Sequence, residues 1–298
     1  MEYQYHTNQL SKQVPVSWEP VLDCGSLPLL LFPSLKQLDF VSHCFSTRMG
    51  GVSEGIFSTM NLSFTRGDKE QHVRENYRRI LQALGTDSNH VVCSDQTHTV
   101  NVRRVTEEDA GKGVVCPKDY TDVDGLITDV PGLCLATFFA DCVPIYLVDP
   151  VHQAIGLSHS GWRGTVSRMG QVTLEAMHDA FGTQPQDVYA AIGPSICKDC
   201  YEVSEDVAMR FVQEFGSEVV WPLNAEVNIE QKYLLDLWRS NEIVLTTAGV
   251  RPERIETTQL CTCCNPKLLF SHRASHGKRG NLGAFLMIKS SLATEKNS

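Results

Sequence analysis

The chain of 298 residues has no excess of positive charge: 26 Lys and Arg stand against 35 Asp and Glu, for a formal net charge of −9. That excludes nucleic-acid or anionic-membrane binding through a general basic surface, and a small-molecule substrate fits better. Long hydrophobic runs are missing too. Leu27 to Phe32 is interrupted by Pro28 and closed by Pro33, far short of a membrane span. The opening MEYQYHTNQLSKQVP lacks the apolar centre of a secretory signal, which predicts a reducing, cytoplasmic setting. Repeats, low-complexity tracts and Gly/Pro/Ser linkers are absent, so one domain is expected.

A hydrophobic content of 42% allows an ordinary core without covalent staples. The eleven cysteines are odd in number and scattered, and they read as thiols rather than as a disulfide framework. The chain is organised around Leu133 to Gly164. Two apolar β-rich runs, Leu133 to Phe139 and Val143 to Val148, flank Asp141-Cys142, and a third, Ala154 to Leu157, delivers His159 into Gly161-Trp162-Arg163-Gly164. Strand ends are where α/β sheets carry chemistry. Cys142 and His159 are both good zinc ligands, and His98 supplies a third just past the apolar Val91 to Cys93.

The segments Gln96-Thr97-His98, Ala140-Asp141-Cys142-Val143-Pro144 and His159-Ser160-Gly161-Trp162-Arg163-Gly164 resemble the signatures of the YfiH-type family, also called laccase-domain or polyphenol oxidoreductase proteins. The resemblance runs from about His43 to Ile288. It implies an α+β fold, a four-layer αββα sandwich of mixed β-sheets, with His98, Cys142 and His159 as a metal-binding triad. It also implies phosphorolysis of adenosine, inosine, guanosine and 5′-methylthioadenosine, with phosphate as co-substrate, and deamination of adenosine.

Further motifs follow the resemblance. Ser46-Thr47-Arg48, Gly50-Gly51 and Asn61-Leu62 look like the family's opening motif, which makes Arg48 a candidate for holding phosphate. Arg163 and Arg273 join it, together with a helix expected to start after Gly164 and offer free backbone N–H groups. Asp124 resembles a family position, but an Asp before Gly also forms turns. In Phe270-Ser271-His272-Arg273 the family commonly has Tyr where this chain has His272.

Zinc on three ligands would keep a position for water, whose pKa falls towards ~7, and Asp141 is the acidic group nearest in sequence to carry protons. Copper competes for the same ligands, but a multicopper oxidase needs several copper centres, and ten histidines with no His-x-His pair fit that poorly. A metal-free cysteine hydrolase with Cys142 as nucleophile and His159 as base is the other enzyme reading, and a scaffold binding a nucleotide-like ligand is the non-enzymatic one. Monomer and homodimer both suit the chain.

Helices are expected from an Asp68 cap to about Ala83, over Thr165 to Phe181, from Ser204 to Phe215, and from about Gln231 to Ala248. Arg74, Arg78 and Arg79 read as a solvated face, and the methionines of the second helix as core. Domain boundaries are placed at 1–35 for an extension, 36–290 for a catalytic domain and 291–298 for a tail. Cys197-Lys198-Asp199-Cys200 and Cys261-Thr262-Cys263-Cys264 fit a second zinc site or a disulfide, and the spacing alone leaves both open.

Overall fold

A computed structural model describes residues 16–21 as backbone and residues 25–223 and 231–290 in full. Met1 to Pro15 and the tail 291–298 lie outside the described residues. The strands are β1 Val16–Val21, β2 Gly25–Leu30, β3 Val41–Ser46, β4 Val91–Cys93, β5 Val102–Arg104, β6 Gly125–Thr128, β7 Cys134–Phe139 and β8 Val143–Asp149. They continue as β9 Ala154–Ser160, β10 Tyr189–Ile192, β11 Glu202–Ser204, β12 Val220–Pro222, β13 Lys232–Leu235, β14 Ile255–Thr257 and β15 Leu282–Ile288. The helices are α1 Pro33–Lys36, α2 Glu70–Ala83, α3 Trp162–Val166, α4 Met169–Phe181, α5 Glu205–Phe215, α6 Leu237–Thr247 and α7 His272–Ser275.

Two six-stranded mixed sheets run β1-β2-β3-β15-β7-β4 and β14-β10-β8-β9-β6-β5, and β11-β13-β12 form a small antiparallel sheet. The strand period of two sorts side chains to the two faces of each sheet. Phe45, Leu135, Phe139 and Leu286 of the first sheet meet Tyr146, Val148, Ile155 and Leu157 of the second in a core between them. On the outer face of the first sheet, Cys134, Ala136 and Phe285 pack under Val73, Tyr77, Ile80 and Leu81 of α2. Outside the second, Val143, Ile145 and Leu147 pack with residues of α4, α5 and α6. The result is the four-layer α+β sandwich expected. Every residue of β8, β9 and β15 is buried, because each sheet is covered on both faces.

Within residues 1–35, β1 and β2 extend the first sheet through β3. Several expectations are corrected. Asp68 does not cap α2: Lys69 is the N-cap residue, and the Asp68 carboxylate accepts instead from Asn61 and from the amide of Lys69. The helix expected over 165–181 is two helices, broken at Arg168 in the left-handed region (φ 59°), where its guanidinium reaches Glu214. Thr165 N already donates to Gly161 O, so the free amides expected after Gly164 are not there. Gln231 to Ala248 divides into β13 and α6, with Asp236 accepting from Arg239 N as the cap between them. Tertiary pairing of β13 with β11 and β12 overrides the helical spacing of its leucines.

Other readings stand. Met169 and Met177 are fully buried, and Arg74, Arg78 and Arg79 pair with Glu70 and Glu75 along the surface of α2. No helix of the described residues is long and apolar enough to cross a membrane.

Candidate active site

The site begins with the register of β9. Ile155, Leu157 and His159 alternate onto the face between the two sheets, so His159 continues the apolar row of the inter-sheet core, with its ring 5.5 Å from that of Phe139. Pairing of β9 with β6 then places Asp124, just before β6, opposite His159. His159 N donates to Asp124 O at 2.8 Å, and His159 Nδ1 lies 2.7 Å from Asp124 Oδ1.

Asp124 is completely buried. Its Oδ2 also accepts from Thr97 N (2.9 Å), Thr99 N (3.0 Å) and Thr99 Oγ1 (3.1 Å), and its Oδ1 from His98 N (3.2 Å). One carboxylate therefore orients His159 and holds the loop that carries His98. Burial opposes its ionisation, but the hydrogen bond and charge of His159 and the loop amides keep its pKa below the ordinary value.

Cys142 completes the group from the turn between β7 and β8. Its Sγ is 3.9 Å from His98 Nε2, and the rings of His98 and His159 stand edge to face with centroids 4.9 Å apart. All three donor atoms lie within 4.8 Å of one another. Burial disfavours the Cys142 thiolate, but the charge and hydrogen bond of His159, and then His98, bring its pKa down to about 6. Burial likewise opposes the His159 imidazolium, yet Cys142 and Asp124 raise its pKa to about 9.

A thiolate and two imidazoles, one backed by a buried carboxylate, suit zinc in both ligand chemistry and outer shell. Gly161 makes the convergence sterically possible: a Cβ there would lie 3.0 Å from His98 Cδ2 and 3.1 Å from Cys142 Sγ. Gly161→Ala is accordingly expected to displace one of the two and weaken metal retention about tenfold, measured by zinc content after dialysis against graded chelator.

Asp141 sits beside the triad in a rarely occupied backbone conformation (φ 96°). Its Oδ1 accepts from Thr262 Oγ1 and its Oδ2 from Arg273 N, both at 2.7 Å. Both carboxylate oxygens are thus engaged with loops behind the site. The Arg273 guanidinium donates to Cys200 O and Glu202 O. Arg48 donates to Ser58 O and Pro266 O and stacks on Phe270, stitching loops together. Arg163 lies over the Trp162 ring beside a second cavity of about 360 Å³ that shares His98.

The cavity that holds all three triad residues, about 370 Å³, brings in different arginines. Arg66 and Arg279 line it with Asn281, and Phe64, Phe138 and Phe139 supply aromatic walls. Arg66 Nε donates to Asn281 Oδ1 at 3.0 Å, and Arg279 Nη1 is bonded to the same oxygen. The buried Arg279 Nε has no hydrogen-bond partner, and burial, with Arg66 adding to it, lowers the pKa of this guanidinium to about 10. Two guanidiniums on one neutral oxygen leave positive charge directed at the cavity. Sequence reasoning passed over both. The available signal was Arg279 in the glycine-bounded turn Gly277-Lys278-Arg279-Gly280.

The sequence model of the family described as multi-copper polyphenol oxidoreductase laccase matches residues 42–289. Purine nucleoside phosphorylase YlmD of Bacillus subtilis (strain 168) is 36% identical over 249 residues, covering 82% of this chain and 87% of that protein. Adenosine deaminase RL5, from an unknown prokaryotic organism, is 33% identical over 247 residues, covering 80% and 93%. The crystal structure of Bacillus licheniformis hypothetical protein YfiH superposes with a TM-score of 0.81 at 35% identity, covering 88% of this chain and 96% of that one.

Proposed function

The chain belongs to the multi-copper polyphenol oxidoreductase laccase family, and from that footing we propose that it is a purine nucleoside phosphorylase working at His98, Cys142 and His159. The observation that carries the reading is one cavity that joins the triad, two cavity-facing guanidiniums and aromatic walls. Phosphorolysis needs those parts: an anion site for phosphate, a flat apolar surface for the base, and a polar centre for the atoms that gain charge as the glycosidic bond loosens.

Arg66 and Arg279 take the phosphate role in place of Arg48 and Arg273, which donate to backbone carbonyls and do not line this cavity. Phe64 and Phe138 pack against the purine. Zinc held by His98, Cys142 and His159 would supply a Lewis acid beside the substrate. Asp124 keeps His159 in one tautomer and orientation, so that its Nε2 faces Cys142 and the site. Asp141 acts as a positioning residue, holding the turn that presents Cys142.

Purified protein is expected to release hypoxanthine from inosine only when phosphate is present, with ribose 1-phosphate as co-product. Base release that is independent of phosphate would overturn phosphorolysis. Arg279→Gln should raise the phosphate KM about tenfold with a smaller change in the nucleoside KM, from the loss of one charge-assisted interaction. An equal effect of Arg163→Gln and none of Arg279→Gln would move the phosphate to the second cavity.

Adenosine deamination is a companion activity of the same site, supported by the name of one relative. It consumes no phosphate, so ammonia release from adenosine in phosphate-free buffer measures it separately. The copper oxidase reading is weaker: among the described residues the triad is the one metal-ligand group that contains histidine, where several copper centres are needed. A stoichiometric zinc content would count against the metal-free hydrolase.

A further inference from the structure

Behind the catalytic turn, two Cys-x-x-Cys segments that are far apart in sequence meet. Cys197 caps and Cys200 ends a single 3₁₀ turn after β10, and Cys261 precedes and Cys264 ends the turn that follows β14. Their four sulfurs lie within 4.8 Å of one another, and Cys263, between the latter two, stands outside the set. We propose that Cys197, Cys200, Cys261 and Cys264 form a closed four-thiolate zinc site, separate from the catalytic triad and structural in role.

The distances match the ion. Zinc with Zn–S bonds of about 2.3 Å in a tetrahedron sets its sulfurs about 3.8 Å apart. Cys200 Sγ to Cys264 Sγ is 3.4 Å and Cys197 Sγ to Cys264 Sγ is 4.0 Å, on either side of that value. A disulfide would need about 2.05 Å, and no disulfide joins the described cysteines.

The backbone has the arrangement such a site requires. Cys197 N and Cys264 N both point at Cys261 Sγ, at 3.3 and 3.4 Å, where N–H donors stabilise thiolate charge. Cys197 and Cys261 are buried and Cys200 and Cys264 half-buried, so the centre is enclosed by protein. With four protein ligands there is no open position for substrate, which separates this site in kind from the three-ligand triad.

The site is tied to the catalytic turn. Thr262, between two of the ligands, donates to Asp141 Oδ1, and Cys200 O accepts from the Arg273 guanidinium, whose backbone N–H donates to Asp141 Oδ2. Zinc here would clamp the two loops that hold Asp141 and, through it, the position of Cys142.

The test counts zinc in the full chain. Wild type is expected to hold two equivalents and Cys142→Ala, which dismantles the triad, one. Cobalt replacing the zinc of Cys142→Ala should show the charge-transfer bands of a tetrathiolate. Cys264→Ser in the Cys142→Ala background should lose that last equivalent. Because such a variant can fail to fold, wild-type protein is also alkylated under native conditions and mapped by mass spectrometry. Cys200 and Cys264 should resist alkylation until a strong chelator strips the metal, then react together. Zinc-free Cys142→Ala protein whose four cysteines alkylate at once would overturn the proposal. So would an intact mass two hydrogens light, which marks a disulfide.

Discussion

Cys142→Ala is expected to lower phosphate-dependent base release from inosine by at least about 10³-fold while the fold survives. Two losses combine. The triad gives up its only anionic donor, leaving two imidazoles, one of them on an exposed loop residue, for the proposed zinc. His159 also loses the thiolate that raises its pKa, so the charge balance of a buried site is reset. Stability should change little, because the side chain removed is small and lines a cavity rather than filling the core. The check is kcat and bound zinc for both proteins, with melting temperatures measured alongside. Activity within tenfold of wild type would remove Cys142 from the mechanism.

Asp124→Asn should cost roughly 10–100-fold in activity or metal affinity and, unlike Cys142→Ala, should destabilise the fold as well. The carboxylate is fully buried and accepts from two sides, His98 N and His159 Nδ1 at one oxygen and the Thr97 and Thr99 donors at the other. An amide replaces one of those acceptors by a donor, whichever way it is turned, and sets donor against donor. About 3 kcal/mol follows from leaving such groups buried and unpaired. In a chain of this size that lowers Tm by roughly 5 °C.

The sign with pH can be stated. The folded pKa of Asp124 is depressed, so its contribution is complete above the unfolded value of about 4 and disappears as pH falls through the folded one. Wild type and Asp124→Asn should therefore differ most at neutral pH and converge in acid. A constant difference down to low pH would show that the loss is steric.

Much of this site is local in the chain, and that is why it could be read. Cys142 follows one apolar strand run and precedes another, and His159 continues the inward-facing row of a third, so residue type and a period of two place both at strand ends. Asp124 was harder to read. An Asp before Gly fits a turn, and only the pairing of β6 with β9 shows that its carboxylate faces His159 across 35 residues of chain. The two broken helices have a similar cause, since Arg168 turns out of its helix towards Glu214, and β13 is claimed by its neighbours.

The arginines mark the limit most clearly. A guanidinium sits at the end of a long flexible stem, so its partner is set by whichever loop lies within reach. Arg48 lies next to a recognisable motif and donates to Pro266 O, 218 positions away, whereas Arg66, in no motif, meets Asn281 at a separation of 215 at the cavity wall. The residue types of the triad and the strand ends that carry them were determined by the sequence alone, because alternation and strand boundaries are short-range properties, whereas the layered fold was legible only through the family resemblance. Which arginines face the cavity, which carboxylate aligns His159 and that the two cysteine pairs meet were decided by the tertiary structure, because each depends on loops brought together only when the sheets pack.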